Sequence, residues 1–147
     1  MKRAWPIVEP GTPLIWNWHI ERICEALVRV PHETRDLVIC IPPGCMKSLL
    51  VSVFWPAWLW LDRPHERLLC FANDDSLATR DSRRMREIIR SEWYAGLIGT
   101  MHERHGRATW GLAKDQDTKV NFENGQRGVR QCLSLGSKVT GKRCDGM

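Results

Sequence analysis

Two short apolar runs constrain this chain more than any other feature. DLVICI at 36–41 and LLCFA at 68–72 carry no polar side chain after Asp36. A strand with one wet face alternates between apolar and polar residues. A run that is apolar at every position suits a strand covered on both faces, as in a parallel sheet. Helical patterns surround the two runs. Asn17 is placed to cap a helix in which Ile20, Ile23, Cys24, Leu27 and Val28 recur at helical spacing, ended by Pro31. A second helix is expected from about Lys47 to Leu61, bent or split by Pro56. A third follows a cap at Asp74, Asp75 or Ser76 and runs to about Ser91. Its inward residues are Leu77, Met85, Ile88 and Ile89, and Arg80, Arg83, Arg84, Arg86 and Arg90 take its outer face. Helix, strand, helix, strand, helix predicts an α/β fold, a parallel sheet flanked by helices.

The rest of the chain is less regular. Residues 1–16, with Pro6, Pro10, Gly11 and Pro13, read as an extended lead-in to a domain spanning 17–147. No pattern stands out from Glu92 to Lys114. TKVNFE at 118–123 and VRQCLSL at 129–135 alternate at period two around Asn124-Gly125, which predicts a β-hairpin near the C-terminus. Gly136 to Gly146 reads as a loop.

Length and composition fit a single globular domain: 147 residues, 43% hydrophobic, 27% charged. The longest apolar stretch, Leu49 to Leu61, is broken by Ser52 and Pro56 and falls short of the roughly 20 residues that span a bilayer. Pro6, Glu9 and Pro10 interrupt any signal-peptide core, so a soluble, non-secreted chain is expected. The net charge of +5 permits a polyanionic partner without demanding one. Cysteines stand at 24, 40, 45, 70, 132 and 144 with no C-x-x-C pair. His102 and His105 have no cysteine partner nearby in sequence. Buried free thiols in a reducing compartment are the expectation, rather than a metal site or disulfide framework.

The segment with the most chemistry is IPPGCMKS at 41–48, between an expected buried strand and an expected helix. That context suits a phosphate cradle. Successive backbone N–H groups at a helix start hold phosphate oxygens, and the helix dipole favours their charge. A lysine there reaches the β and γ phosphates, and the next hydroxyl ligates Mg²⁺. Lys47 and Ser48 are placed for these roles. Ile41 and Met46 stand where the standard G-x-x-x-x-G-K-[ST] pattern has its two glycines, and Gly44 is the only glycine of the loop. From the pattern alone, a plain strand–Pro-Pro–helix junction remains the alternative.

IPPGCMKSLLVSVFWPAWLW resembles the Walker A region of large terminase subunits, the DNA-packaging ATPases of tailed phages and prophages. In one branch of that family Met-Lys-Ser replaces Gly-Lys-Ser. WNWHIERICEAL upstream is similar to the helix before the family's first strand. FANDDSLATRDSRRMREII is similar to its second strand and following helix, and DQDTKVNFENGQRGVRQCLSLGSKVTGKRCDG to the hairpin and loop that lead toward Walker B. The resemblance covers most of residues 14–147. It implies a P-loop NTPase-type domain that binds ATP and Mg²⁺. Pro43, Gly44, Cys45, Met46, Lys47 and Ser48 would hold the nucleotide, Lys47 acting on the β/γ phosphates and Ser48 holding the metal. It implies an adenine contact at Trp18 and His19, although packing of Trp18 on the sheet competes with that role. Further implications are double-stranded DNA, a small terminase subunit and a portal protein as partners, an oligomer, and a location in the host cytoplasm and transiently at the procapsid portal.

Two departures matter. The loop holds no arginine, so the role that residue plays in many terminases is unfilled or supplied elsewhere. The chain also reaches Met147 before the acidic residues of Walker B, so an incomplete domain with weak or absent ATP turnover is expected. Arg80, Arg83 and Arg84 are candidates for DNA phosphates, against the alternative of a solvated helix face; Arg127 and Arg130 near the hairpin turn are weaker ones. Helix capping accounts for Asp74 and Asp75 more simply than catalysis does, and Asp115 and Asp117 form a second acidic pair. Two other readings stay open: a non-catalytic basic nucleic-acid-binding module, and a different P-loop ATPase such as a helicase-like protein.

Overall fold

The structure is a computed structural model and describes residues 1–33, 36–118 and 120–134. Its helices are α1 (Trp5–Val8), α2 (Trp18–Arg29), α3 (Lys47–Leu49), α4 (Trp55–Asp62), α5 (Asp75–Arg90) and α6 (Glu92–His105). The strands are β1 (Leu68–Ala72), β2 (Leu112–Asp117), β3 (Asn121–Asn124) and β4 (Val129–Ser134). The strand order is β1-β4-β3-β2. The fold is thus α/β with a four-stranded sheet. The loop expected at 136–146, Cys144 and Leu135 lie outside the described residues. Asp115 and Asp117 fall on β2, with side chains outside the description.

Helix boundaries follow local chemistry. Asn17 caps α2, accepting a hydrogen bond from the Trp18 amide at 2.7 Å. Asp74 caps α5 by accepting from the amides of Ser76 and Leu77. Ser91 accepts from the Tyr94 amide to start α6, and Gly106 ends it in the left-handed conformation at φ 63°. Pro56 does not break the second helix. It has no N–H, and its ring crowds the preceding turn. The chain widens ahead of it into a π-helical turn at Leu50–Phe54, where the Trp55 amide donates to the Leu50 carbonyl. α3, this turn and α4 run unbroken from Lys47 to Asp62.

The sheet is mixed, which corrects the expected parallel one. β1 and β4 pair in parallel, with Leu68 opposite Arg130 and Cys70 opposite Cys132. β3 pairs antiparallel with both β4 and β2. The connections explain this. Parallel strands need a long crossover, which α5 and α6 supply between β1 and the hairpin, whereas Gly125–Gly128 is short enough only to reverse the chain. β2 and α6 occupy the region where no pattern was expected.

A second correction concerns 36–41. This run joins no ladder among the described strands and has no regular secondary structure. Val38 is 85% exposed, while Ile39 and Ile41 pack against a cluster of Ile20, Ile23, Leu27 and Leu50. Apolar character gives a segment one face to bury, but a strand also needs a neighbour for its backbone groups. Residues 1–16 are not wholly extended either: α1 packs on α5, and Trp5 Nε1 donates to the Thr12 carbonyl at 2.6 Å.

One core lies between the α4–α6 helices and one sheet face. Trp60, fully buried, meets Trp110 and Phe122 edge-on at centroid distances of 5.9 and 5.7 Å. The second cluster lies under α2. Met1, Met46 and Trp55 touch both. No described helix is long and apolar enough to cross a membrane.

Candidate functional site

The loop at 42–46 leads into the start of α3, and its backbone is unusual at two points. Gly44 has φ 82° and Met46 φ 62°. The left-handed region is free to glycine and costs other residues about 1 kcal/mol or more. Met46 therefore adopts a conformation more natural to glycine. Its side chain, packed against both core clusters, offsets part of that strain.

These turns leave a row of donors at the head of a long helix. Cys45 closes a turn over 43–44, and among the described residues the amides of Gly44, Met46, Lys47 and Ser48 make no hydrogen bond within the protein. Gly44, Lys47 and Ser48 are exposed. Lys47 makes no ion pair with any described residue. Amide donors, a helix start and an ammonium are the groups that an anion would require.

A cavity of about 300 Å³ opens over this loop. Pro42 to Leu49 line one wall, and Arg80 and Arg84 of α5 line the other. The two arginines stand one helical turn apart, so they present to one side. Each is held by a carboxylate: Arg80 by Asp81 at 2.8 Å, and Arg84 by Glu9, which follows α1. No carboxylate lines the cavity among the described residues.

The other expected contacts lie elsewhere. Trp18 is 72% exposed, so it does not pack on the sheet, and its ring meets His19 edge-on at 6.1 Å. Neither residue lines the loop cavity. Arg83 is exposed and pairs with Glu87 across one helical turn at 3.4 Å. Arg127 lies in the hairpin turn at φ 63°. Arg130 is fully buried beneath α5, which removes it from any DNA surface. An apolar cavity of about 150 Å³ lies between α2 and the π-helical turn, and none of residues 42–48 lines it.

The sequence offered Arg80 and Arg84 as surface charge, and their place opposite the loop was not legible. Spacing showed that they share a helix face. Only the packing of α5 against the π-helical turn shows what that face meets.

Comparison with protein-family models, with curated proteins and with solved structures finds no match for this chain.

Proposed function

We propose that residues 43–48 bind the phosphates of a nucleoside triphosphate, and that the chain is the nucleotide-binding portion of a terminase-type DNA-packaging ATPase built on a P-loop fold. The observation that carries the reading is that the amides of Gly44, Met46, Lys47 and Ser48, at the start of an unbroken helix, and the Lys47 ammonium have no partner among the described residues. In this reading the amides hold the β phosphate and the Lys47 ammonium reaches between β and γ. Ser48 Oγ, directly after it, carries Mg²⁺, which neutralises phosphate charge when bound. Arg80 and Arg84, each paired with a carboxylate, form the facing wall and bring to the cavity the arginine that the loop lacks. ATP as the nucleotide and double-stranded DNA, the small subunit and the portal as partners come from the sequence resemblance alone. Hydrolysis needs a group that orients water, and among the described residues no carboxylate lines the cavity, so the proposal for this chain concerns binding.

Calorimetric titration of the chain with ATP and Mg²⁺ tests this. Binding is expected, and Lys47→Ala should weaken it at least about tenfold, since one charge-assisted contact of about 1.5–3 kcal/mol is removed. Absence of binding, or equal binding by Lys47→Ala, refutes the proposal. The helical content of that variant should be unchanged, because Lys47 is exposed.

The purely DNA-binding alternative gains nothing from the structure. Arg80, Arg83 and Arg84 are all ion-paired within the chain. Salt-sensitive DNA binding indifferent to Lys47→Ala would support that alternative.

A further inference from the structure

Beneath α5, away from the loop, sits a charge without an ordinary partner. Arg130 is 0% exposed. Its Nε donates to Cys132 Sγ at 3.3 Å, and its Nη1 points to Met85 Sδ at 3.0 Å. Its Nη2 has no partner among the described residues. A guanidinium in a protein core requires an anion nearby. Among the described residues Asp81 is a carboxylate close enough to act on Arg130, and one of its oxygens, Oδ1, is held by Arg80 at 2.8 Å.

The remaining candidates for negative charge are two thiols. Cys70 on β1 and Cys132 on β4 are register partners on parallel strands and point to the same sheet face. Register sets their Cβ atoms side by side on neighbouring strands. The Cys70 thiol, against the cost of burial and with Arg130 beside it, holds Cys132 below the usual thiol range. Cys132 and burial push Cys70 up. Of the two sulfurs, Cys132 is the one that the Arg130 Nε contacts, so a negative charge is best placed there. From α5, Ser82 Oγ also lies near Cys132, without a partner that meets hydrogen-bond geometry.

We propose that Cys70 and Cys132 form a reactive dithiol, its thiolate held by Arg130, which a peroxide closes to a cross-strand disulfide. Neighbouring strands are about 4.8 Å apart, within the 4.4–6.8 Å between Cα atoms that a disulfide spans. Cys132 is 3% exposed, so an oxidant has to enter past Cys70, a half-buried residue on β1, the edge strand of the described sheet. The Cys132 thiolate attacks one peroxide oxygen. The S–O bond forms, the O–O bond breaks and hydroxide leaves. Cys70 sulfur then attacks the sulfenic acid, displacing its oxygen as water, with the Cys70 proton going to that water. The dithiol is oxidised by two electrons and hydrogen peroxide is reduced to water and hydroxide. A soft metal ion is disfavoured despite three sulfurs close together, because the guanidinium stands among them. Oxidation removes the anion beside Arg130 and thereby loosens α5, the helix that carries Arg80 and Arg84.

The test is hydrogen peroxide added to the full chain at neutral pH, followed by non-reducing peptide mass mapping. A Cys70–Cys132 link is expected before any change at Cys24, Cys40 or Cys45. Arg130→Met should slow linking about tenfold or more, and Arg130→Lys should restore much of the rate. In Cys70→Ser the reaction should stop at a Cys132 sulfenic acid, trapped by a cyclic 1,3-dione. Peroxide reacting first at Cys40 or Cys45, or an Arg130→Met rate equal to the parent, overturns the proposal. Thiolate ultraviolet absorbance at neutral pH, present in the parent and lost in Cys132→Ser, decides the matter should Arg130→Met not fold. Its absence from the parent is equally fatal.

Discussion

At the scale of single residues, the loop takes left-handed backbone at two positions, and one of them, Met46 at φ 62°, is not a glycine. Gly44, at φ 82°, has open space where a Cβ would go, so a substitution there meets only backbone strain. Gly44→Ala is therefore expected to cost about 1–2 kcal/mol locally and to weaken ATP binding about tenfold, with the thermal transition little moved. Calorimetry beside a thermal melt separates the two effects. The sequence showed Lys47 and Ser48 because residue type and order carry their chemistry. It did not show the positive φ of Met46, because a methionine reads as an ordinary helix former.

At the scale of elements, caps and close approaches decide what holds. Bonds from the Ser76 hydroxyl, then from the amides of Leu77 and Ser76, keep the Asp74 carboxylate below its ordinary value of 3.8. A depressed carboxylate stabilises the fold above its unfolded pKa, and that contribution fades as pH falls through the lower folded value. Amide-exchange protection in the first turn of α5, taken relative to the intrinsic rate at each pH, should thus fall on acidification below that ordinary value. Asp74→Asn, which keeps the acceptor and loses the titration, should flatten the response. In the hairpin, a Cβ on Gly128 would lie 1.9 Å from the Pro64 carbonyl oxygen and 2.7 Å from Asn124 Nδ2. Asn124 is itself buried and ties Pro64 to the turn at 2.7 Å. Gly128→Ala should destabilise by roughly 1–3 kcal/mol or more, read by denaturant titration. Helices with strong caps and period, α2 and α5, were legible in the sequence, as were β1 and the hairpin. α6 was not, although Ser91 and Gly106 cap it, because Gly96 and Gly99 blur its pattern.

At the scale of the whole molecule, the core turns on Trp60. It is 0% exposed, packs on two aromatic rings, and its Nε1 donates to the Glu66 carbonyl at 3.1 Å. Trp60→Ala should cost about 3–5 kcal/mol, a large share of a domain's usual margin. Trp58→Ala, at a 39% exposed position of the same helix, should cost far less. Paired thermal melts followed by circular dichroism check the contrast. By itself the sequence determined the α/β class, most helices, β1 and the hairpin, and the phosphate-binding candidate at 41–48. These depend on periodicity, caps and residue chemistry within a few neighbouring positions. Tertiary structure alone decided that 36–41 stays outside the sheet, that the sheet is mixed, that Arg80 and Arg84 face the loop, and that Arg130 lies between sulfurs. Strand partners and the meeting of side chains far apart in sequence are set by packing, and no local pattern records them.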